Sequence, residues 1–266
     1  APLTVTGVTA ANRVYDGTVT ATLGGTASVT PIGLDAVTVT GTGSGSFATK
    51  HVGTNKPVTV TGFSLTGGDA GNYSIVQPTG LTANITPAPL TVSTSNVNRV
   101  YDGTTNATGT PVVTSGTLFS SDTLTGGTFA FVSKNAGTNV TVNVSGISVN
   151  DGNAGGNYSI TQAPNNTSNI SQASLTISGV TANNKTYNAN TVATLSGTAS
   201  VTPIGLDNVS VLGTGSASFA DRHVGTGKPV TVTGFGLTGT DAGNYTPVQP
   251  TGLTANITQA NLNVTG

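Results

Sequence analysis

Nine carboxylates, all aspartate, are the only acidic side chains: Asp16, Asp35, Asp69, Asp102, Asp122, Asp151, Asp207, Asp221 and Asp241. Paired carboxylates can do general acid–base work or hold Ca²⁺ together with backbone oxygens. Aspartate also bonds its own backbone in turns. Asp69 and Asp241 sit in Asp-Ala-Gly-Asn-Tyr, and Asp151 sits in Asp-Gly-Asn-Ala-Gly-Gly-Asn-Tyr, both turn-like, so turn roles are favoured over a cation or catalysis. The two histidines, His51 and His223, occupy equivalent places in a repeat, and Asn135 stands at the third. Neither has a second His or any Cys in its repeat, so both read as surface or turn residues, not ligands or pH sensors. Cysteine is absent, which removes disulfides, thiolate metal sites and a Cys nucleophile. The residues offer no catalytic group, no cofactor site and no metal site, and they single out no ligand-binding residue.

Three other chemistries are conceivable for these residues, and each has a plainer counterpart. Lysine near Asp or Asn can form an isopeptide cross-link, but Lys50 and Lys134 align with Arg222, and Lys56 and Lys228 have no counterpart in the middle copy. Thr-x-Thr pairs such as Thr38/Thr40 and Thr59/Thr61 suit ice only in flat ranks of a short repeat, which this chain lacks. Tyr15, Tyr73 and their copies could stack on sugar rings; the favoured reading makes them half-buried core residues with the hydroxyl at the rim.

Composition narrows the function classes. Eight basic against nine acidic residues leave a net charge of -1. No basic face for nucleic acid can be built from that, nor a polybasic membrane anchor. No apolar run is long enough for a spanning helix. Glu and Met are absent while Thr and Val abound, which removes the best helix formers and favours strands. The chain is therefore expected to be all-β.

The elements that position these residues recur. Tyr15, Tyr101 and Tyr187 are 86 residues apart each time, and Asn72-Tyr73, Asn157-Tyr158 and Asn244-Tyr245 recur at 85 and 87. Each copy opens on Leu3-Thr4-Val5, Leu90-Thr91-Val92 or Leu175-Thr176-Ile177 and closes on Asn84-Ile85, Asn169-Ile170 or Asn256-Ile257. Gly25 to Asp35 is identical to Gly197 to Asp207, so the order is A-B-A. Val58-Thr59-Val60-Thr61 and Val230-Thr231-Val232-Thr233 alternate at period two, as half-buried strands do. The expected division is 1–88, 89–173 and 174–261, with 262–266 opening a truncated fourth repeat of a longer array. Each repeat is expected to be a small sandwich-like domain, the three forming an extended array. A β-grasp-like mixed sheet is the alternative, because first and last strands could pair in parallel. The joints, such as Thr86-Pro87-Ala88-Pro89, carry no carboxylate for a stiffening ion.

At Tyr15-Asp16-Gly17 and Tyr101-Asp102-Gly103 the chain resembles the YDG-type tandem repeat modules of large bacterial surface adhesins, the filamentous-haemagglutinin-like, two-partner-secretion proteins. The opening strand, the Phe47-to-Gly53 segment, the Val-Thr-Val-Thr-Gly strand, Asn-Tyr and the closing Ala83-Asn84-Ile85-Thr86 carry the same resemblance; the third copy departs at Tyr187-Asn188-Ala189. It implies an extracellular stalk at the bacterial cell surface that projects a binding region, and no enzyme. The alternative is repeats that themselves bind carbohydrate or other copies of the chain. Nucleic acid and membrane insertion are not expected, and the piece is expected to be monomeric.

Overall fold

The computed structural model describes residues 1–263. Of the fourth-repeat start expected at 262–266, Leu262 and Asn263 are exposed and outside any strand, and 264–266 lie outside the described residues. The described residues are all-β. Their only helical turns are single 3₁₀ turns at Ala70–Asn72 and Ala242–Asn244, inside the two Asp-Ala-Gly-Asn segments.

Each repeat pairs its opening strands in parallel with its closing ones. In the first, Pro2–Thr4 runs beside Ser74–Val76 with Leu3 opposite Ile75, and Arg13–Val14 runs beside Thr82–Thr86. In the second, Ala88–Thr94 pairs with Tyr158–Gln162 and Asn98–Val100 with Asn165–Ser171. In the third, Ala173–Thr176 pairs with Tyr245–Val248 and Lys185–Thr186 with Leu253–Thr258. The strands between are antiparallel. In the first repeat they complete a five-stranded sheet in the order Arg13–Val14, Thr82–Thr86, Gly53–Thr61, Ser44–Phe47, Thr20–Ala21. The parallel pairing raised with the mixed-sheet alternative is thus present in all three copies.

The alternating strands behave as their period dictates. Gly53–Thr61 buries Val58 and Val60 and leaves the intervening threonines exposed. Gly225–Thr233 repeats this with Val230 and Val232. Apolar side chains on one face gain from leaving water, and threonine keeps strand propensity on the other without adding charge.

The described residues gather into two compact units that do not follow the repeat period. One comprises Ala1–Ser95, Thr110–Thr128 and Val144–Pro164; the other comprises Asn96–Gly109, Phe129–Asn143 and Asn165–Gly266. The first unit thus holds repeat one and the part of repeat two around Ala88–Thr94. The second holds the part around Asn165–Ser171 and repeat three. Period counts positions along the chain, whereas compaction follows buried contact. In the second unit Tyr101, Phe131 and Ile170 of the middle repeat share one buried cluster with Leu175 and Tyr245 of the third.

The joints are shorter than the four residues the sequence suggests. Only Pro87 separates Thr82–Thr86 from Ala88–Thr94, and only Gln172 separates Asn165–Ser171 from Ala173–Thr176. A single residue between two paired strands is no flexible tether.

Candidate functional site

The clustering of reactive side chains occurs where one repeat meets the next, inside each compact unit. In the first unit Arg13–Val14 aligns with Thr82–Thr86, and the Tyr15 N–H donates to the Thr86 carbonyl at 2.9 Å. This places the Tyr15 ring at the end of its repeat. Its hydroxyl donates to Asp122 Oδ2 at 2.9 Å, and the Tyr158 hydroxyl donates to the same oxygen at 2.7 Å. The Phe119 N–H in turn donates to the Tyr158 hydroxyl at 2.8 Å. The two tyrosine rings meet edge to face with centroids 5.4 Å apart, a favoured aromatic geometry. Lys50 Nζ lies 3.7 Å from Asp122 Oδ1 and 5.8 Å above the Tyr15 ring. Beside them the fully buried Asn157 accepts the Val52 N–H at 3.0 Å and pairs through Nδ2 with His51 Nδ1 at 3.1 Å.

The second unit repeats the arrangement one period on. Tyr101 and Tyr245 hydroxyls donate to Asp207 Oδ2 at 2.6 and 2.7 Å, and the Ile204 N–H donates to the Tyr245 hydroxyl at 2.9 Å. Lys134 Nζ sits 2.6 Å from Asp207 Oδ1 and 3.8 Å from Asp241 Oδ1. Asn244 Oδ1 accepts the Ala136 N–H at 2.8 Å. The earlier repeat gives a tyrosine and a lysine; the later gives the aspartate and the Asn-Tyr pair. Four of the six tyrosines are buried in these two junctions.

Electrostatics hold the four tyrosines, Lys134 and Asp207 in their resting forms. Burial, then the bond to Asp122, pushes the Tyr15 hydroxyl up to about 12. Burial and Asp207 do the same to Tyr245, also to about 12, and Tyr101 and Tyr158 rise for like reasons. Burial works against the charge on Asp207, but Lys134 and the two tyrosine hydroxyls outweigh it and hold the carboxyl below its ordinary value. The bond to Asp207 raises Lys134. Condensation to an isopeptide needs a neutral amine and a protonated carboxyl, and both shifts oppose it.

The other aspartates hold backbone, except Asp35, which accepts the Tyr73 hydroxyl at 2.7 Å. Asp16 Oδ1 accepts the Thr18 N–H at 2.9 Å, while Arg13 Nη1 donates to both carboxylate oxygens at 2.7 Å and lies over the Phe47 ring. Arg99, Asp102, Thr104 and Phe131 repeat this arrangement. In the third copy Lys185 sits over Phe219 and reaches Asn190 Oδ1 at 2.9 Å instead. Asp151 accepts the N–H groups of Asn153, Gly155 and Asn157 at 2.7–2.9 Å. Asp69 and Asp241 accept the N–H of Ala36 and Asn208 at 2.8 and 2.9 Å, and neither side chain caps the 3₁₀ turn that follows it, so they brace a distant segment instead of their own turn. Turn roles thus hold for Asp16, Asp102 and Asp151, whereas Asp122 and Asp207 instead take two tyrosines each. The tyrosine reading is corrected too: the hydroxyls of Tyr15, Tyr101, Tyr158 and Tyr245 are not at a rim but on a buried carboxylate. His51 is not a bare surface residue, since it faces Asn157. The basic residue two places before each motif tyrosine (Arg13, Arg99, Lys185) is a signal for this arrangement that the sequence carries. Among the described residues no three His or Asp side chains come together as a metal site would require.

The model of the YDG domain family matches residues 1–80, 86–167 and 171–252. The chain belongs to the YDG domain family. No curated protein and no solved structure matches the chain. In these YDG repeats the motif letters have separable jobs: Tyr15 and Tyr101 reach into the next repeat, Asp16 and Asp102 cap the turn, and the glycine turns the backbone. Gly17 and Gly103 have φ of +76° and +77°, the left-handed region that glycine enters freely. A Cβ on Gly17 would lie 2.9 Å from the Phe119 side chain. The third YDG repeat puts Ala189 there at φ +66°. An alanine in that region costs about 1–2 kcal/mol. Ala189→Gly is therefore expected to stabilise the chain by about 0.5–1 kcal/mol after glycine's entropy is counted. Urea unfolding would measure this; an unchanged or lower midpoint would refute it.

Proposed function

We propose that these YDG repeats form a load-bearing stalk segment of a bacterial extracellular adhesin, holding a binding region away from the cell surface and doing no chemistry themselves. The observation that carries this reading is the parallel pairing of opening and closing strands in every repeat. Pulling on the two ends of a parallel pair drives the strands past each other, so the ladder bonds are loaded together in shear. An antiparallel hairpin pulled at its ends opens one bond at a time. One-residue joints and tyrosine–aspartate junctions support the reading, because they pass load from a repeat to its neighbour without slack. The carbohydrate-binding alternative draws less support. Buried junctions hold Tyr15, Tyr101, Tyr158 and Tyr245, and the shallow grooves of the first and third repeats are lined mostly by Gly, Thr and Ala, with one aromatic each, Phe63 and Phe235.

Single-molecule stretching of the chain by its termini tests this. Discrete force peaks are expected, each releasing about 300 Å if a repeat of about 85 residues unravels to roughly 3.4 Å per residue. Smooth extension without peaks would refute a load-bearing role, because force resistance reflects a slow unfolding step.

A further inference from the structure

A buried amide at the first junction fixes how His51 must be protonated. Asn157 is fully buried. Its Oδ1 accepts the Val52 backbone N–H at 3.0 Å and Asn153 Nδ2 at 3.1 Å. A backbone N–H only donates, so the amide oxygen must face Val52 and the amide nitrogen must face the other way. There Asn157 Nδ2 meets His51 Nδ1 at 3.1 Å. An amide nitrogen only donates, so His51 Nδ1 must accept. The imidazole in this junction is therefore neutral, with its proton on Nε2. The Asp151 carbonyl offers Asn157 Nδ2 only a long second bond, at 3.5 Å.

The second junction holds the same amide against a partner that cannot titrate. Asn244 Oδ1 accepts the Ala136 N–H at 2.8 Å, and Asn244 Nδ2 donates to Asn135 Oδ1 at 3.4 Å. Asn135 stands where His51 stands in the first repeat. A carboxamide oxygen remains an acceptor across the physiological range. An imidazole that gains a proton carries N–H on both ring nitrogens, so no ring flip restores an acceptor.

We propose that His51 is a pH-sensitive latch in the first compact unit. Mild acid puts a proton on Nδ1, turns the bond to Asn157 into a contact between two donors, and loosens the Val52–Asn157 side of that junction. The second junction, with Asn135, does not respond. An ordinary histidine takes up its proton near about pH 6.5, above the range of ordinary aspartates, so the change falls between about pH 7.5 and 5.5. The opened junction frees the imidazole to take a proton that the closed one resists. The contribution of the bond is therefore complete above that range and is lost as pH falls through it. The surrounding charges leave the latch to His51. The Asp151 carboxylate already accepts the N–H groups of Asn153, Gly155 and Asn157, which blunts its pull on a histidinium. Lys50, next along the chain, opposes a second positive charge and lies 3.7 Å from Asp122. Burial keeps Tyr15 and Tyr158, which bond Asp122, neutral here.

Amide hydrogen exchange of the intact chain reads the two junctions side by side, because the Val52 and Ala136 N–H groups are counterparts. Protection is taken against the exchange rate of an unstructured amide at the same pH. For Val52 it is expected to fall at least about tenfold from about pH 7.5 to about 5.5, the loss of one buried bond. Ala136 is expected to hold its protection. In His51→Asn, which copies the second junction, Val52 is expected to hold its protection too. Nitrogen NMR of the unaltered chain at the upper pH checks the starting state: His51 Nδ1 is expected to resonate as a bare ring nitrogen and Nε2 as a protonated one. A proton on Nδ1 at that pH, equal losses at Val52 and Ala136, no loss at Val52, or a loss that persists in His51→Asn would each overturn the proposal.

Discussion

Asp207→Ala is expected to destabilise the second compact unit by about 3–5 kcal/mol, the usual cost of removing one partner from a buried charge cluster. The carboxylate side chain is 4% exposed and accepts both tyrosine hydroxyls and the Lys134 ammonium. Its loss strands two buried donors, and each unsatisfied donor costs about 1–3 kcal/mol. Asp207→Asn keeps an acceptor oxygen for the tyrosines but drops the charge, so a smaller loss is expected. Asp221→Ala, which removes an exposed carboxylate, serves as the comparison and should change stability far less. The chain has no Trp, so urea unfolding followed by tyrosine fluorescence and circular dichroism is the natural measurement. A loss below about 1 kcal/mol for Asp207→Ala would show that the junction contributes packing but not polar stabilisation.

The second large effect is alkaline unfolding between about pH 10 and 12. Tyr15 and Tyr245 hold their protons to about 12 in the folded chain, whereas an unfolded tyrosine ionises near 10. Below pH 10 both states are protonated and the contribution of the tyrosines to stability is complete. Above it the unfolded chain alone releases protons, so stability falls until the folded-state values are passed. A shift of about two units is worth on the order of 2–3 kcal/mol for each of these tyrosines. Lys134, also raised in the folded chain, acts in the same direction. Urea midpoints should hold steady up to pH 9–10 and then drop steeply, in line with those tyrosine values. Tyr15→Phe with Tyr245→Phe should flatten the drop while lowering the plateau. Midpoints that do not move between pH 9 and 12 would mean that these hydroxyls are not buried on carboxylates. On the acid side the sign reverses. Asp207 and Asp151 lie below their ordinary values, so their contribution is complete above the unfolded carboxylate range and is lost as pH falls through the folded values.

How far the sequence reads depends on the length scale of the interaction. The strand at Gly53–Thr61 was legible because Val58 and Val60 alternate with threonine, and period two is a local property. The three copies were legible because Tyr15, Tyr101 and Tyr187 recur at a constant interval. The Asp16 turn was legible in kind, since aspartate bonds backbone two residues on, as Thr18 shows. The junctions were not legible. Tyr15 and Asp122 are 107 residues apart, and no local rule pairs them. The signal was present only as a coincidence of three periodic rows, the motif tyrosines, the second tyrosines and one aspartate per repeat, and nothing in those rows states which repeat's tyrosine meets which aspartate.

The amino-acid sequence by itself determined that this is a strand-built chain of three like units with few charged side chains. Missing helix formers, abundant Thr and Val, and the repeat period act position by position and need no tertiary information. Only the tertiary structure decided that the opening strands pair in parallel with the closing ones, that one residue joins successive repeats, and that the middle repeat is divided between two compact units. Those outcomes depend on which buried surfaces fit and which donors find acceptors across about a hundred residues. A tyrosine hydroxyl taken out of water must find a partner wherever the fold brings one, and here it finds the aspartate of the next repeat.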